Sequence, residues 1–309
     1  MAMLLHFLRC TGLVLAVLLS PSAPCLAAEP LKAVATFSIL GDIVKNVGGE
    51  RVAVTTLVGP DGDAHVFEPA PGDAKAVAAA SVVFVNGLGL EGWMDRLLES
   101  SGYKGPIVTA STGVKPQTME DEDEKSASGQ PKVITDPHAW QSLQNGQLYV
   151  DNILAGLTKV DPAGADAYKA NAEAYKKQLA ELHAWVRTEI GAVPKPKRKV
   201  ITSHDAFGYF GTAYGVTFLA PVGVSTDAEP SAKGVAQLIR QIKKEKIRAL
   251  FIENMTNPKL IEQIGKETGV EMGGALYSDA LSKPGGPGDT YIKMFRNNVP
   301  LIKAAMLKN

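Results

Sequence analysis

A single unbroken helical pattern from Asp161 through Ile190 divides this chain into two halves. Tyr168, Ala172, Tyr175, Leu179, Leu182 and Val186 recur at helical spacing among Ala, Lys and Glu, which makes one apolar stripe on an otherwise polar rod. Asp161 stands as the expected N-cap, with Pro162 in the first turn. Helical throughout, its ~30 residues would extend ~45 Å, long enough to bridge two domains and too stiff for a flexible hinge.

On either side of this rod, strand-like and helix-like segments alternate. Strands are expected at Leu31–Phe37, Val52–Val58, Val82–Asn86 and Pro106–Thr109, with helices at Ile39–Val47, Asp73–Ala80 and Glu91–Glu99 between them and at Ser142–Leu157 after them. The second series places strands at Lys199–Thr202, Val216–Ala220, Ala249–Ile252 and Glu271–Leu276. Helices are expected there at Phe207–Tyr214, Ala232–Lys246, Pro258–Thr268 and Tyr291–Leu307. This rhythm predicts an α/β protein of two lobes with mostly parallel sheets flanked by helices, joined by one long connecting helix. The expected division is 1–28 leader, 29–158 N-terminal lobe, 159–192 connecting helix and 193–309 C-terminal lobe.

The leader carries Arg9, an apolar run from Leu13 to Leu19 and a small-residue tail to Ala28, the pattern of a secretory signal peptide. The run falls short of the ~20 apolar residues that span a bilayer, and Pro21 and Pro24 break it. Proline directly before Cys25 fits a lipid-attachment box poorly, so a soluble periplasmic protein is expected in preference to a lipoprotein. Both cysteines, Cys10 and Cys25, lie in the leader, which leaves the mature chain without disulfides or thiolate ligands. Loss of Arg9 leaves 31 basic against 32 acidic residues, and no basic stripe points to nucleic acid.

Four distant segments each offer one good metal ligand: His65 in GDAHVFEP, His138 in DPHAW, His204 in TSHDAFGYF and Asp279 in YSDAL. Spacings of 73, 66 and 75 residues exclude a local motif such as a zinc finger, so only the tertiary fold could assemble them. Three imidazoles and one carboxylate complete a tetrahedral shell for a borderline-soft divalent ion such as zinc. His6 lies in the leader, and His183 lies on the polar connecting helix, where a solvated histidine is expected. Turn-forming neighbours (Gly62 and Asp63, Asp136 and Pro137, Ser203 and Asp205) place the other three on loops, where sites are built. Beyond the ends of parallel strands, two ligands from each half would grip an ion between the lobes.

In HVFEP at 65–69, DPHAW at 136–140, the Tyr168, Asn171 and Tyr175 spacing, SHDAFGYF at 203–210, STDAEPSAK at 225–233, and YSDAL with Tyr291, the chain resembles the ZnuA- and TroA-like metal-binding proteins of ABC importers. The resemblance covers the whole mature chain. It implies two α/β lobes joined by a long helix, with the ion held in the interlobe cleft by His65, His138, His204 and Asp279. It also implies a carrier that performs no chemistry and delivers its ion to an ABC permease in the inner membrane; a monomer is expected.

Manganese-type members look to have a carboxylate where this chain has His204; three nitrogens lean toward Zn2+, though ligand softness also admits copper or nickel. Glu68 is a candidate extra ligand, and Asp136 and Asp205 are candidates to orient the imidazoles from behind. Many zinc-type members carry a histidine-rich insert before DPH, whereas this chain has Glu120–Glu124, all acidic, within a polar stretch at 115–132. A solvated, disordered loop is the expectation there, with a weak cation collector, or a docking strip for a basic, zinc-delivering periplasmic partner, as the sharper alternatives. A manganese- or iron-carrying homologue, a secreted zinc hydrolase and a surface adhesin are the rival functions. Against the hydrolase stand the lack of HExxH and GxSxG motifs.

Overall fold

In a computed structural model, residues 29–125, 131–227 and 230–309 are described. The leader expected over 1–28 lies outside them. Among the described residues no helix is long and apolar enough to cross a membrane.

The first half runs β1 (Leu31–Phe37), α1 (Ser38–Gly48), β2 (Val52–Val58), α2 (Pro71–Ala78), β3 (Val82–Val85), α3 (Met94–Ser101) and β4 (Ile107–Thr109). A two-stranded ribbon follows, β5 (Thr118–Lys125) with β6 (Pro131–Thr135), and then α4 (Leu143–Val160) and the long α5 (Ala165–Gly191). The second half comprises β7 (Lys199–Ile201), α6 (Gly208–Tyr214), β8 (Thr217–Leu219), α7 (Ala232–Glu245), β9 (Leu250–Glu253), α8 (Lys259–Thr268), β10 (Met272–Leu276) and α9 (Tyr291–Met306).

Two parallel four-stranded sheets result, ordered β2-β1-β3-β4 and β10-β9-β7-β8. Strands covered on both faces read as continuous apolar runs, and every residue of Val82–Val85 is buried. Helices on the sheet flanks stop where glycine takes the left-handed conformation: Gly215 after α6 (φ 71) and Gly269 after α8 (φ 70). Ser231 Oγ accepts the Gly234 N–H at 3.1 Å to start α7, and Thr290 Oγ1 accepts that of Lys293 at 3.2 Å to start α9.

The connecting helix has 27 residues, ~40 Å of rise. Tyr168, Ala172, Tyr175, Leu179, Leu182, Val186 and Ile190 form its buried face, the expected stripe extended by one turn. Its start differs from expectation. Asp161 does not cap α5; its Oδ2 accepts from Tyr168 Oη at 2.6 Å and Arg51 Nη2 at 2.9 Å, while Pro162–Gly164 form a separate 3-10 turn. A carboxylate offered a phenol and a guanidinium gains more there than from one backbone N–H. His183 is also not merely solvated: it is half-buried, with Nδ1 3.0 Å from Tyr214 Oη.

The acidic stretch departs further. Its backbone is an antiparallel strand, with Met119 opposite Ile134, Glu120 opposite Val133 and Asp121 opposite Lys132. The physical reason is local. Val133 and Ile134 have strong strand propensity and return directly alongside, so the ladder forms without a large apolar core.

Candidate metal centre

The candidate side chains emerge where strands end. His65 follows β2 in a loop anchored by its own residues: the His65 N–H donates to Asp63 Oδ1 at 2.9 Å, and Trp93 Nε1 donates to Ala64 O at 2.8 Å. His138 stands between β6 and α4. Asp136 Oδ1 accepts both its backbone N–H, at 2.9 Å, and its ring Nδ1, at 2.8 Å, which directs Nε2 inward. His204 follows β7, and Asp279 follows β10.

One ligand atom from each of His65, His138, His204 and Asp279 falls within 4.8 Å of every other. Asp279 Oδ2 lies 3.2 Å from His65 Nε2, 3.5 Å from His138 Nε2 and 3.0 Å from His204 Nε2. The His65 and His138 Nε2 atoms are 3.2 Å apart. His138, His204 and Asp279 are wholly buried, while His65 keeps slight exposure. Asp279 Oδ1 is buried with no hydrogen-bond partner, while Oδ2 faces the three Nε2 atoms, so the carboxylate is left under-satisfied beside three ring nitrogens. Such a donor set fits a divalent cation, which would draw four convergent lone pairs into one shell.

The electrostatics agree. Burial alone would lower the His138 imidazole, but Asp279 and Asp136 outweigh it and hold the group up at about 9. At His204 burial again pulls down, and Glu253 and Asp279 overcome it to raise the ring well above its usual range. Burial would raise Asp279, yet His138 and His204 hold it well below the usual carboxylate range. An ionised carboxylate facing rings that hold their protons makes a cluster poised to exchange those protons for a metal ion.

The C-terminal half meets the loops of the first half through several bonds. Trp140 Nε1 and Gln141 Nε2 both donate to Ser278 O, at 2.9 and 2.7 Å, beside Asp279. Leu281 N–H donates to Ser38 Oγ at 2.9 Å, and Asp61 N–H donates to Leu281 O at 3.0 Å. Across the loop of His65, Thr226 Oγ1 donates to Asp63 Oδ2 at 2.7 Å, and Asn254 Nδ2 donates to Asp61 Oδ1 at 2.9 Å.

Of the three supporting acids expected, Asp136 alone touches a cluster histidine. Glu68 is exposed on the loop after His65 and outside the cluster. Asp205 makes no hydrogen bond to a cluster histidine among the described residues; its N–H donates to Gly223 O, and burial, with nearby Asp136, raises its carboxyl. The place expected for Asp205 is taken by Glu253, the last residue of β9, which sequence reasoning missed. Glu253 Oε2 lies 2.7 Å from His204 Nδ1. An acid closing an apolar strand, as in Ala249-Leu-Phe-Ile-Glu253, was the available signal, since a buried charge at a strand end needs a partner.

Comparison with known proteins agrees with this geometry. The profile of the ZnuA family, described as "Zinc-uptake complex component A periplasmic", matches residues 33–305. The chain is 35% identical over 271 residues to the manganese-binding lipoprotein MntA of Halalkalibacterium halodurans, covering 88% of this chain and 87% of that one. It is 33% identical over 287 residues to the iron-binding protein YfeA of Yersinia pestis, covering 92% and 89%. Among solved structures, the periplasmic zinc-binding protein TroA of Treponema pallidum superposes with a TM-score of 0.81 at 29% identity, covering 90% of this chain and 99% of TroA. The profile match over nearly all the described residues, the full-length relatives and the shared two-lobed fold together place this chain in the ZnuA family of metal ABC transporter substrate-binding proteins.

Proposed function

We propose that this chain captures one Zn2+ ion outside the cytoplasm, in the cleft between lobes spanning 29–158 and 193–309, and delivers it to an inner-membrane ABC permease. The ligands in this reading are His65, His138, His204 and Asp279, and the observation that carries it is their convergence within 4.8 Å. Three nitrogens and one oxygen suit zinc better than the harder manganese ion. Asp279 Oδ2 already stands within 3.5 Å of all three Nε2 atoms, which supports a fourth protein ligand where a hydrolase would keep water. The protein is accordingly read as a monomeric carrier without enzymatic activity, and a zinc-delivering periplasmic protein docking on the 115–132 ribbon remains part of the proposal.

Manganese or iron is the second reading, favoured by the relatives named for those metals, MntA and YfeA. MntA is also named a lipoprotein, which favours Cys25 as an attachment point over the soluble form suggested by Pro24. Native mass spectrometry of the metal-free mature chain offered equal zinc and manganese tests the cargo. One bound zinc is expected; bound manganese would refute the choice of metal. The mass of the chain recovered from membranes or from periplasmic extract decides between the anchored and soluble forms.

A further inference from the structure

Glu253 is wholly enclosed, at 2% exposure, with one oxygen bonded to the backbone and the other facing the ring of His204. Its Oε1 accepts the backbone N–H groups of Ser203, at 2.7 Å, and His204, at 3.0 Å. Its Oε2 lies 2.7 Å from His204 Nδ1, although off the line of an ideal hydrogen bond. The same carboxylate therefore holds the backbone and the ring of one candidate ligand. Its neighbour Asn254 donates to Asp61 Oδ1 at 2.9 Å and to Ala280 O at 3.3 Å, so the end of β9 also meets the loops of His65 and Asp279.

We propose that Glu253 is a positioning and specificity-determining residue, which holds His204 with its proton on Nδ1 and its Nε2 lone pair toward the ion, and which disfavours a carboxylate at position 204. Two consequences follow from elementary chemistry. A neutral imidazole has one proton; with that proton held on Nδ1 against Oε2, Nε2 is the free donor, and it already points at Asp279 Oδ2 from 3.0 Å. An acid placed at 204 would instead bring a second buried anion against Glu253, and two carboxylates in such contact cannot both ionise. The carboxylate-rich shell that suits a harder ion is thus obstructed from behind by Glu253 rather than by the ligands themselves. Position 253 and position 204 should then behave as one unit.

This inference rests on His204 being a ligand in the proposed zinc site, so the experiment separates the two. Glu253→Gln keeps an oxygen for both backbone N–H groups, and it replaces the charged acceptor facing His204 Nδ1 with a neutral NH2 donor. Its metal-free form should keep the wild-type circular dichroism, at lower stability because the buried His204 ring loses the carboxylate facing it, while zinc binds about 10- to 100-fold more weakly in a chelator competition. His204→Glu should bind manganese poorly, and His204→Glu with Glu253→Gln should bind it at least about tenfold more tightly than His204→Glu alone. In the zinc-loaded wild type, imidazole 15N shifts should show a protonated Nδ1 and a metal-bound Nε2 at His204. Wild-type affinity in Glu253→Gln, additive effects in the double variant, or Nδ1 as the metal-bound nitrogen would each overturn the role of Glu253. The NMR readout needs no variant to fold. A wild-type preference for manganese would overturn the zinc reading alone, because the Glu253→Gln comparison can be repeated with that ion.

Discussion

Without metal, the cluster should make this protein less stable in mild alkali than at pH 6. His138 sits at about 9 in the folded chain against its ordinary 6.5, so the folded state holds a proton that the unfolded chain releases over that interval. A group raised on folding contributes its full stabilisation below the unfolded value and loses it as pH climbs through the folded one. The window is therefore pH 6.5 to 9, and at 1.36 kcal/mol per unit the loss is about 3 kcal/mol. His204 is raised in the same direction, so its proton adds to the same loss as pH rises. Asp279, held low, adds stability that is present above its ordinary value of 3.8 and is unchanged across the window. Urea denaturation in excess chelator, at pH 6 and pH 9, should show this drop. Asp279→Asn, which removes the main anion holding the His138 proton, should flatten it. Saturating zinc should reverse the trend, because the ion displaces those protons and binds more tightly as pH rises. An apo protein equally stable at both pH values, or more stable at pH 9, would refute the reasoning.

The other expectations are simpler. His204→Ala should weaken zinc binding by at least about 100-fold, whereas Glu68→Ala, exposed and outside the cluster, should leave titration calorimetry unchanged. Thr226→Val removes the 2.7 Å bond to Asp63 across the loop of His65, worth about 1 kcal/mol, and should speed zinc release about fivefold in stopped-flow with a chelating dye. Leu179→Ala on the buried face of α5 should cost about 2 to 5 kcal/mol in denaturant melts while one metal still binds per chain. Deleting 117–129 should leave metal affinity intact, and reduced transfer from a zinc-loaded partner would be the sign of docking on the ribbon.

Pattern pointed to the lobes and the rod: Val82–Asn86 reads as a covered strand, found at Val82–Val85, and the stripe from Tyr168 to Val186 reads as one helix face. The four convergent residues were legible too, because histidine is scarce here and each of the three candidates lies beside turn-formers. Supporting contacts were less legible. Asp136 is two residues from His138, so local geometry joins them, whereas Glu253 is 49 residues from His204 and meets it only because β9 pairs with β7. Asp205, adjacent in sequence, is directed elsewhere by its backbone bond to Gly223. Likewise Asp161 looked like a cap and was claimed by Arg51, 110 residues away. Composition and spacing act over a few residues and decide which segments become strand, helix or loop. Which buried charges face one another depends on strand order and on loops packed across two sheets, and there the lowest free energy belongs to the partner that completes a desolvated charge, whatever its distance along the chain.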